Sequence, residues 1–330
     1  MLNIAIIGLR GHQVIMLDGI LKLKDARLAA VAEDDRSLFE AARSHPAVGP
    51  EVRFYHDYRE LLSREDVQIA GVCGTDDVRA EVACACARRG IHLMTEKPLA
   101  MNLPGLQQVR AAVEQAGVRL TMMISMRYAA QFIAMRRAVA EGLVGEVCQM
   151  SAQKSYRLGQ RPEWMKSSKT FSGIIPFIGI HALDLMRWIS GREYVRVAAL
   201  HANVAHPEIR ELHDSASLLL KLDNGGSATA RLDYCRPAAA ASHGDDRVRI
   251  AGSRGVIEAI NDEVRLITAD QPERLLPLGA EENHFVDFVR ALETGSECLI
   301  PAGDCYRMTE IVLLARAAAE QGTIMEIPPG

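Results

Sequence analysis

Over residues 1–125, short apolar runs alternate with stretches of helical periodicity. The runs are Asn3–Ile7, Leu28–Ala32, Ile69–Cys73, His92–Thr95 and Leu120–Ile124. Each is too short for a helix and nearly all apolar, as a parallel strand covered on both faces must be. Between them, Gln13–Leu23, Ser37–His45, Asp77–Arg89 and Pro104–Ala116 carry helical spacing, and Gly90 and Gly117 stand where helix C-caps belong. This alternation predicts a Rossmann-like, doubly wound parallel sheet over residues 1–125.

Beyond residue 125 the pattern changes. A helix is expected over Arg127–Glu141, closing at Gly142 with a second glycine at Gly145. Strands are expected over Val147–Ser155, Val195–Ala202, Ser215–Leu222, Ser227–Tyr234, Val248–Ala251 and Val264–Thr268. Asp223-Asn224-Gly225-Gly226 between two of them is a hairpin signal, and hairpins mean antiparallel pairing. Residues 126–330 are therefore expected to form an α+β domain with a largely antiparallel open sheet, its helices at Ile180–Ile189, Glu282–Leu292 and Cys305–Glu320. Pro237–Gly244 reads as a loop.

Composition narrows the function classes. Hydrophobic residues make up 48% and charged residues 24% of the 330, an ordinary globular balance. The net charge is −4 with no basic block, which argues against nucleic acid as a partner. No stretch approaches the roughly 20 apolar residues needed to span a bilayer. The chain opens directly on an apolar strand, and its seven cysteines are scattered, so a reduced, cytoplasmic protein is expected. Cys84 and Cys86 lie two apart in a helix, where side chains do not face each other. His201, His206, His213 and Asp214 straddle a loop without tight ligand spacing. No metal is expected.

Three segments carry candidate chemistry. The first strand runs into Gly8-Leu9-Arg10-Gly11-His12, a turn placed where a dinucleotide pyrophosphate would bind. Gly8 supplies the tight bend, but Arg10 and Gln13 stand where the full pattern has glycines, so an ordinary turn also fits. The second strand ends in Glu33-Asp34-Asp35, carboxylates suited to the adenine ribose hydroxyls and opposed to a 2′-phosphate. This favours NAD over NADP, with Glu33 facing the added phosphate unaccompanied and Arg36 as a possible counterweight. Third, Thr95-Glu96-Lys97-Pro98 follows the strand His92–Thr95. A lysine at the carboxyl end of such a strand offers a cation to a substrate oxygen, although a solvated charge pair is the ordinary reading of a Glu-Lys taken alone.

These residues resemble the glucose–fructose oxidoreductase/inositol dehydrogenase (Gfo/Idh/MocA) family. The resemblance extends over most of the chain: the first strand and turn, the Glu96-Lys97-Pro98 tripeptide, Gly142-x-x-Gly145, and Gly179-Ile180-His181-Ala182-Leu183-Asp184. It implies a Rossmann domain followed by an α/β domain whose sheet walls the substrate and often forms an oligomer interface. It also implies Lys97 and His181 as the active-site pair. His181 stands out independently as a polar imidazole in an apolar helix, with Asp184 placed to orient it. Four residues before the histidine many members carry an aspartate, and here Phe177 replaces it. The frequent Thr-Pro after the strand Ile69–Cys73 becomes Thr75-Asp76.

The expected function is hydride transfer between a nicotinamide and a secondary alcohol or ketone of a sugar-like or cyclic polyol substrate. Gly8, Leu9, Arg10, Gly11, His12, Glu33, Asp34, Thr75, Glu96 and Lys97 are expected to hold NAD, or NADP. Arg127, Tyr156, Trp164, Phe177 and Asp184 join Lys97 and His181 as substrate candidates. A homodimer or homotetramer through the second sheet is expected. Two rival readings remain: an NAD-dependent lyase or glycosidase that oxidises its substrate transiently, and a non-catalytic dinucleotide sensor.

Overall fold

A computed structural model describes residues 1–260 and 262–330. Contacts divide the chain into one unit of Met1–Ser125 with Glu282–Thr309, and a second of Met126–Glu281 with Glu310–Gly330. Residues 282–309, read from the sequence with the second half, thus pack in the first unit.

The first unit is built on six parallel strands: β1 (Leu2–Ile7), β2 (Ala26–Ala32), β3 (Arg53–Tyr55), β4 (Ile69–Val72), β5 (His92–Thr95) and β6 (Leu120–Met122). Their order in the sheet is β3-β2-β1-β4-β5-β6, every pairing parallel. The helices between them are α1 (Val14–Ile20), α2 (Phe39–Arg43), α3 (Tyr58–Arg64), α4 (Asp76–Ala87) and α5 (Leu103–Ala116). This is the doubly wound sheet expected from the sequence. The strand order reverses at β1, so the crevice for a ligand lies beyond the carboxyl ends of β1, β2 and β4. The strands are apolar on both faces because helices cover both: Ile4, Ile6, Leu28, Val31 and Ile69 are each at most 1% exposed. β3 and α3 had no counterpart in the hydrophobic pattern.

The second unit opens with α6 (Ala130–Ala140) and adds β7 (Val147–Tyr156), α7 (Ile180–Ser190), β8 (Tyr194–Ala202), β9 (Ser215–Leu222) and β10 (Ser227–Asp233). Four more strands follow: β11 (Gly244–Gly252), β12 (Gly255–Ile260), β13 (Glu263–Thr268) and β14 (Gln271–Leu275). Helix α8 (His284–Thr294) belongs to the first unit. The division between units falls within α9 (Ala302–Gln321), and β15 (Met325–Glu326) ends the fold. The nine strands form one sheet in the order β14-β13-β12-β11-β7-β10-β9-β8-β15. Only β7–β10 pairs parallel; the remaining pairs are antiparallel, as expected from the hairpin signal.

Burial along this sheet alternates with the strand period of two. Leu218, Leu220 and Leu222 of β9 and Ala228, Ala230 and Leu232 of β10 are buried, while Leu219, Lys221, Thr229 and Arg231 face outward. Among the described residues no helix is long and apolar enough to cross a membrane.

Candidate active site

In the first unit the site grows from the carboxyl ends of the strands. β1 runs into Gly8, whose φ is +88° and whose missing side chain lets the chain bend tightly against Cys73 and Gly74; a Cβ there would stand 2.5 Å from the Cys73 carbonyl carbon. Gly11 is bare for a different reason. A Cβ on it would meet the Glu96 side chain, which instead reaches the backbone N–H of His12 and lies 2.6 Å from His12 Nδ1. The other Glu96 oxygen accepts the Lys97 N–H at 3.2 Å.

Glu96 and Lys97 are 2% and 1% exposed, and the Lys97–Pro98 peptide is cis. Arg79, also buried, donates to Pro98 O at 2.7 Å, Gly74 O at 3.0 Å and Asp76 at 2.8 Å, tying β4 and β5 together behind the tripeptide. Burial resists ionisation of Glu96. The His12 charge and hydrogen bond, with Lys97 and Arg79, nevertheless hold its carboxyl well below the usual range. The EKP tripeptide is therefore a buried, charge-compensated corner, unlike a solvated Glu-Lys pair. Thr95 Oγ1 beneath it is buried with no partner among the described residues.

The end of β2 holds the second group. Glu33 is 4% exposed and fully engaged: Oε2 accepts the Leu9 N–H at 2.7 Å, and Oε1 accepts Arg10 Nη2 at 2.7 Å and the Asp35 N–H at 3.0 Å. The same guanidinium also bonds Asp34. Burial pushes the Glu33 carboxyl up, helped by its contact with Asp34. That contact holds Asp34 down, against its own desolvation, and Arg10 assists. The expectation that Glu33 meets a ribose phosphate without a charge partner is thus corrected, because Arg10 is that partner. These groups line a cleft of about 270 Å³ together with Gly8, Thr75, His56 and Tyr58. The sequence reading missed the last two, which arrive with β3 and α3. A signal existed in Asp57, whose side chain caps α3 by accepting the Arg59 N–H at 2.8 Å. The glycine bend, the close approach at Gly11 and the acidic end of β2 fit a dinucleotide held over this edge.

In the second unit, His181 lies in the first turn of α7, half-buried. The turn before it, Ile175–Gly179, is π-helical and runs directly into α7. Such wide turns are frequent at functional sites. Phe177 sits in that turn and packs edge-on against Phe171 (5.0 Å between ring centres) and Trp164 (6.3 Å). Its place in the aromatic cluster gives the residue a packing role. Asp184, expected to orient His181, is buried and takes Arg127 Nε at 2.9 Å, with a second contact to Nη2. Arg127, expected at the substrate, is itself 1% exposed, and the two form a buried ion pair.

Tyr156 is half-buried, its hydroxyl 3.3 Å from Asp246 and its ring stacked on His243 at 5.3 Å. Burial and the Asp246 charge push its phenol well up. Asp246 also pairs at 2.7 Å with Lys154, a 1%-exposed ammonium that burial pushes down and Asp246 pulls back up. The sequence reading missed Lys154, although the signal was present: it shares the period-two face of Met150 and Ala152, where a lysine is out of place. The histidines His201 and His213 stack ring on ring at 3.6 Å. Asp214 accepts the backbone N–H groups of Val204, Ala205 and His206, which assigns it to holding that loop.

Comparison with known proteins follows the same division. Residues 2–124 match the model of an oxidoreductase family with an NAD-binding Rossmann fold, and residues 132–258 match the GFO/IDH/MocA C-terminal domain. An inositol 2-dehydrogenase of Rhizobium meliloti (strain 1021) is 27% identical over 293 residues, 85% of each chain. A myo-inositol 2-dehydrogenase of Thermotoga maritima is 25% identical over 277 residues, 83% of this chain and 80% of its own. A solved structure from Thermotoga maritima superposes with a TM-score of 0.94 at 33% identity, covering 99% of this chain and all of that one.

Proposed function

The chain belongs to the Gfo/Idh/MocA oxidoreductase family, and from that premise we propose that it is an NAD-dependent dehydrogenase acting on a secondary alcohol of a sugar-like or cyclic polyol substrate. The observation that carries this reading is the buried Lys97 on the Glu96 corner at the end of β5. An ammonium kept out of water by a pre-formed network is poised to hold an oxygen on which negative charge develops. The inositol 2-dehydrogenase names of the relatives support the polyol class.

The turn Gly8–His12 and the end of β2 would hold the cofactor, with Thr75 beside them. When bound, NAD supplies the acceptor for the hydride that leaves the carbinol carbon. Lys97 Nζ binds the carbinol oxygen and stabilises it as its proton departs. His181, the histidine that the family resemblance implies, receives that proton. Trp164, Phe177 and Tyr156 remain substrate candidates, while Arg127 and Asp184 position the α7 segment from its buried side. The outward face of the second sheet, with Leu200 72% and Leu219 57% exposed, supports a homodimer or homotetramer. Seven cysteines, none in a disulfide, fit a reducing cytoplasm.

The test is a panel of inositols, sugars and sugar acids with NAD, followed as absorbance of the reduced cofactor. Net NADH formation on at least one polyol is the expected result. Turnover of a sugar without net NADH would select the transient-oxidation chemistry instead. Dinucleotide binding with no turnover across the panel would select a sensor.

A further inference from the structure

We propose that Arg10 is a cofactor-specificity residue, the built-in counter-ion that lets the acidic ribose subsite accept a 2′-phosphate, so that this chain binds NADP as well as NAD. The inference rests on the NAD-binding family assignment and not on the polyol reading. A carboxylate at the end of the second strand normally excludes the 2′-phosphate by uncompensated negative charge. Here that charge is compensated. Glu33 spends its oxygens on Leu9 N, Asp35 N and Arg10, and to turn toward a ribose it would have to surrender three donors in a buried position. Its role is to fix the turn and the guanidinium.

Asp34 faces outward, with a side chain 74% exposed, and Arg10 already sits on it; Asp35, also exposed, caps the next turn by accepting from Ser37. Arg10 holds both Glu33 and Asp34 through Nη2. A guanidinium presents five N–H donors in a rigid fork, so Arg10 is able to keep Glu33 while a phosphate takes the place of Asp34. Its side chain is 21% exposed and lines the cleft, which gives an incoming anion access. Arg59 lines the same cleft, but it pairs with Glu81 and Asp57 rather than with the carboxylates at the end of β2. Arg10 also occupies a position where dinucleotide turns usually carry glycine. A long side chain there is a liability for binding unless it makes contacts of its own.

The experiment measures Kd for NAD and NADP by calorimetry on the full chain, with 5′-AMP and adenosine 2′,5′-bisphosphate as fragments that lack the nicotinamide. Wild type is expected to bind NADP within about 10-fold of NAD. Arg10→Ala should weaken NADP and the bisphosphate by roughly 10- to 100-fold, the worth of a hydrogen-bonded charge contact, with NAD and AMP far less affected. Arg10→Lys, which keeps the charge but not the fork, should fall between, and it decides the matter if the alanine variant does not fold. Equal losses for ligands with and without the 2′-phosphate would overturn the inference alone, reducing Arg10 to a support for Glu33. Wild type that rejects NADP as strongly as Arg10→Ala does would overturn it too. Failure of wild type to bind any of these nucleotides would overturn it together with the cofactor reading.

Discussion

The corner at Glu96–Lys97 and the helix start at Phe177–His181 set the proposed catalytic cation and imidazole among different neighbours. At the corner each charge meets another: His12, Lys97 and Arg79 surround Glu96, and Arg79 bonds Asp76 and two carbonyls. At the helix start the setting is apolar, with Ile175, Pro176, Ile178, Gly179 and Ile180 buried and aromatic rings on one side. A charge network fixes geometry through directional bonds and fails electrostatically. An apolar setting fixes it through packing, and it fails by loosening.

If the helix start carries the proton step, His181→Ala should lower kcat by about 10²- to 10⁴-fold, the usual worth of a positioned acid–base group. The Kd for NAD should stay near wild type, and the unfolding midpoint should move little. Next in size is Lys97→Met, expected to cost roughly 10²- to 10³-fold in kcat, as loss of one oxyanion-stabilising donor does. Should Lys97→Met instead destroy NAD binding while sparing kcat at saturation, the corner would be a cofactor clamp, and the contrast with His181 would dissolve.

The third test addresses stability. Glu96→Gln removes the charge at the centre of the corner and should cost about 1–3 kcal/mol in urea unfolding at neutral pH. Because the folded carboxyl is held below its unfolded value, its stabilisation is present above that value and is lost as the pH falls toward the folded one. The gap between wild type and Glu96→Gln should therefore be full at pH 7 and shrink below about pH 4. A gap independent of pH would mean that Glu96 acts by shape alone. Phe177→Leu gives up part of two aromatic pairings, each worth at most about 0.5–1.5 kcal/mol, while keeping an apolar side chain, and it should not change the pH–rate profile. A shifted profile would mean that the ring tunes His181 in addition to packing.

What could be read from the sequence divides along similar lines. Five of the six parallel strands were legible because burial on both faces writes a continuous apolar run, and β9 and β10 because one-sided burial writes an alternation. β3 was not: Arg53-Phe54-Tyr55 opens on an exposed arginine and writes no apolar run, whereas the equally short β6 lies within the apolar run Leu120–Ile124. The identities of Gly8, Lys97 and His181 were visible as motif members, yet their partners were not. Arg10 finds Glu33 across 23 positions, Glu96 finds His12 across 84, and Arg127 finds Asp184 across 57. No local pattern announces such pairs; only the fold brings them together. That is why the Asp184–Arg127 pair was not among the expectations.

The return of Glu282–Thr309 to the first unit bears on how the protein is made. Phe285, Phe288 and Val289 of α8 share the core with Met16, Leu17 and Ile20 of α1, and Asn283 anchors that helix to Ile15 O at 3.0 Å. At a synthesis rate of about 5–20 residues per second, the ribosome needs roughly 10–40 s to pass from residue 125 to residue 309. For that interval the first unit has its six strands in hand but lacks the side chains that cover α1. Its unfinished apolar surface waits in the nascent chain while all but the last strand of the second sheet is translated, a window in which a chaperone has something to hold.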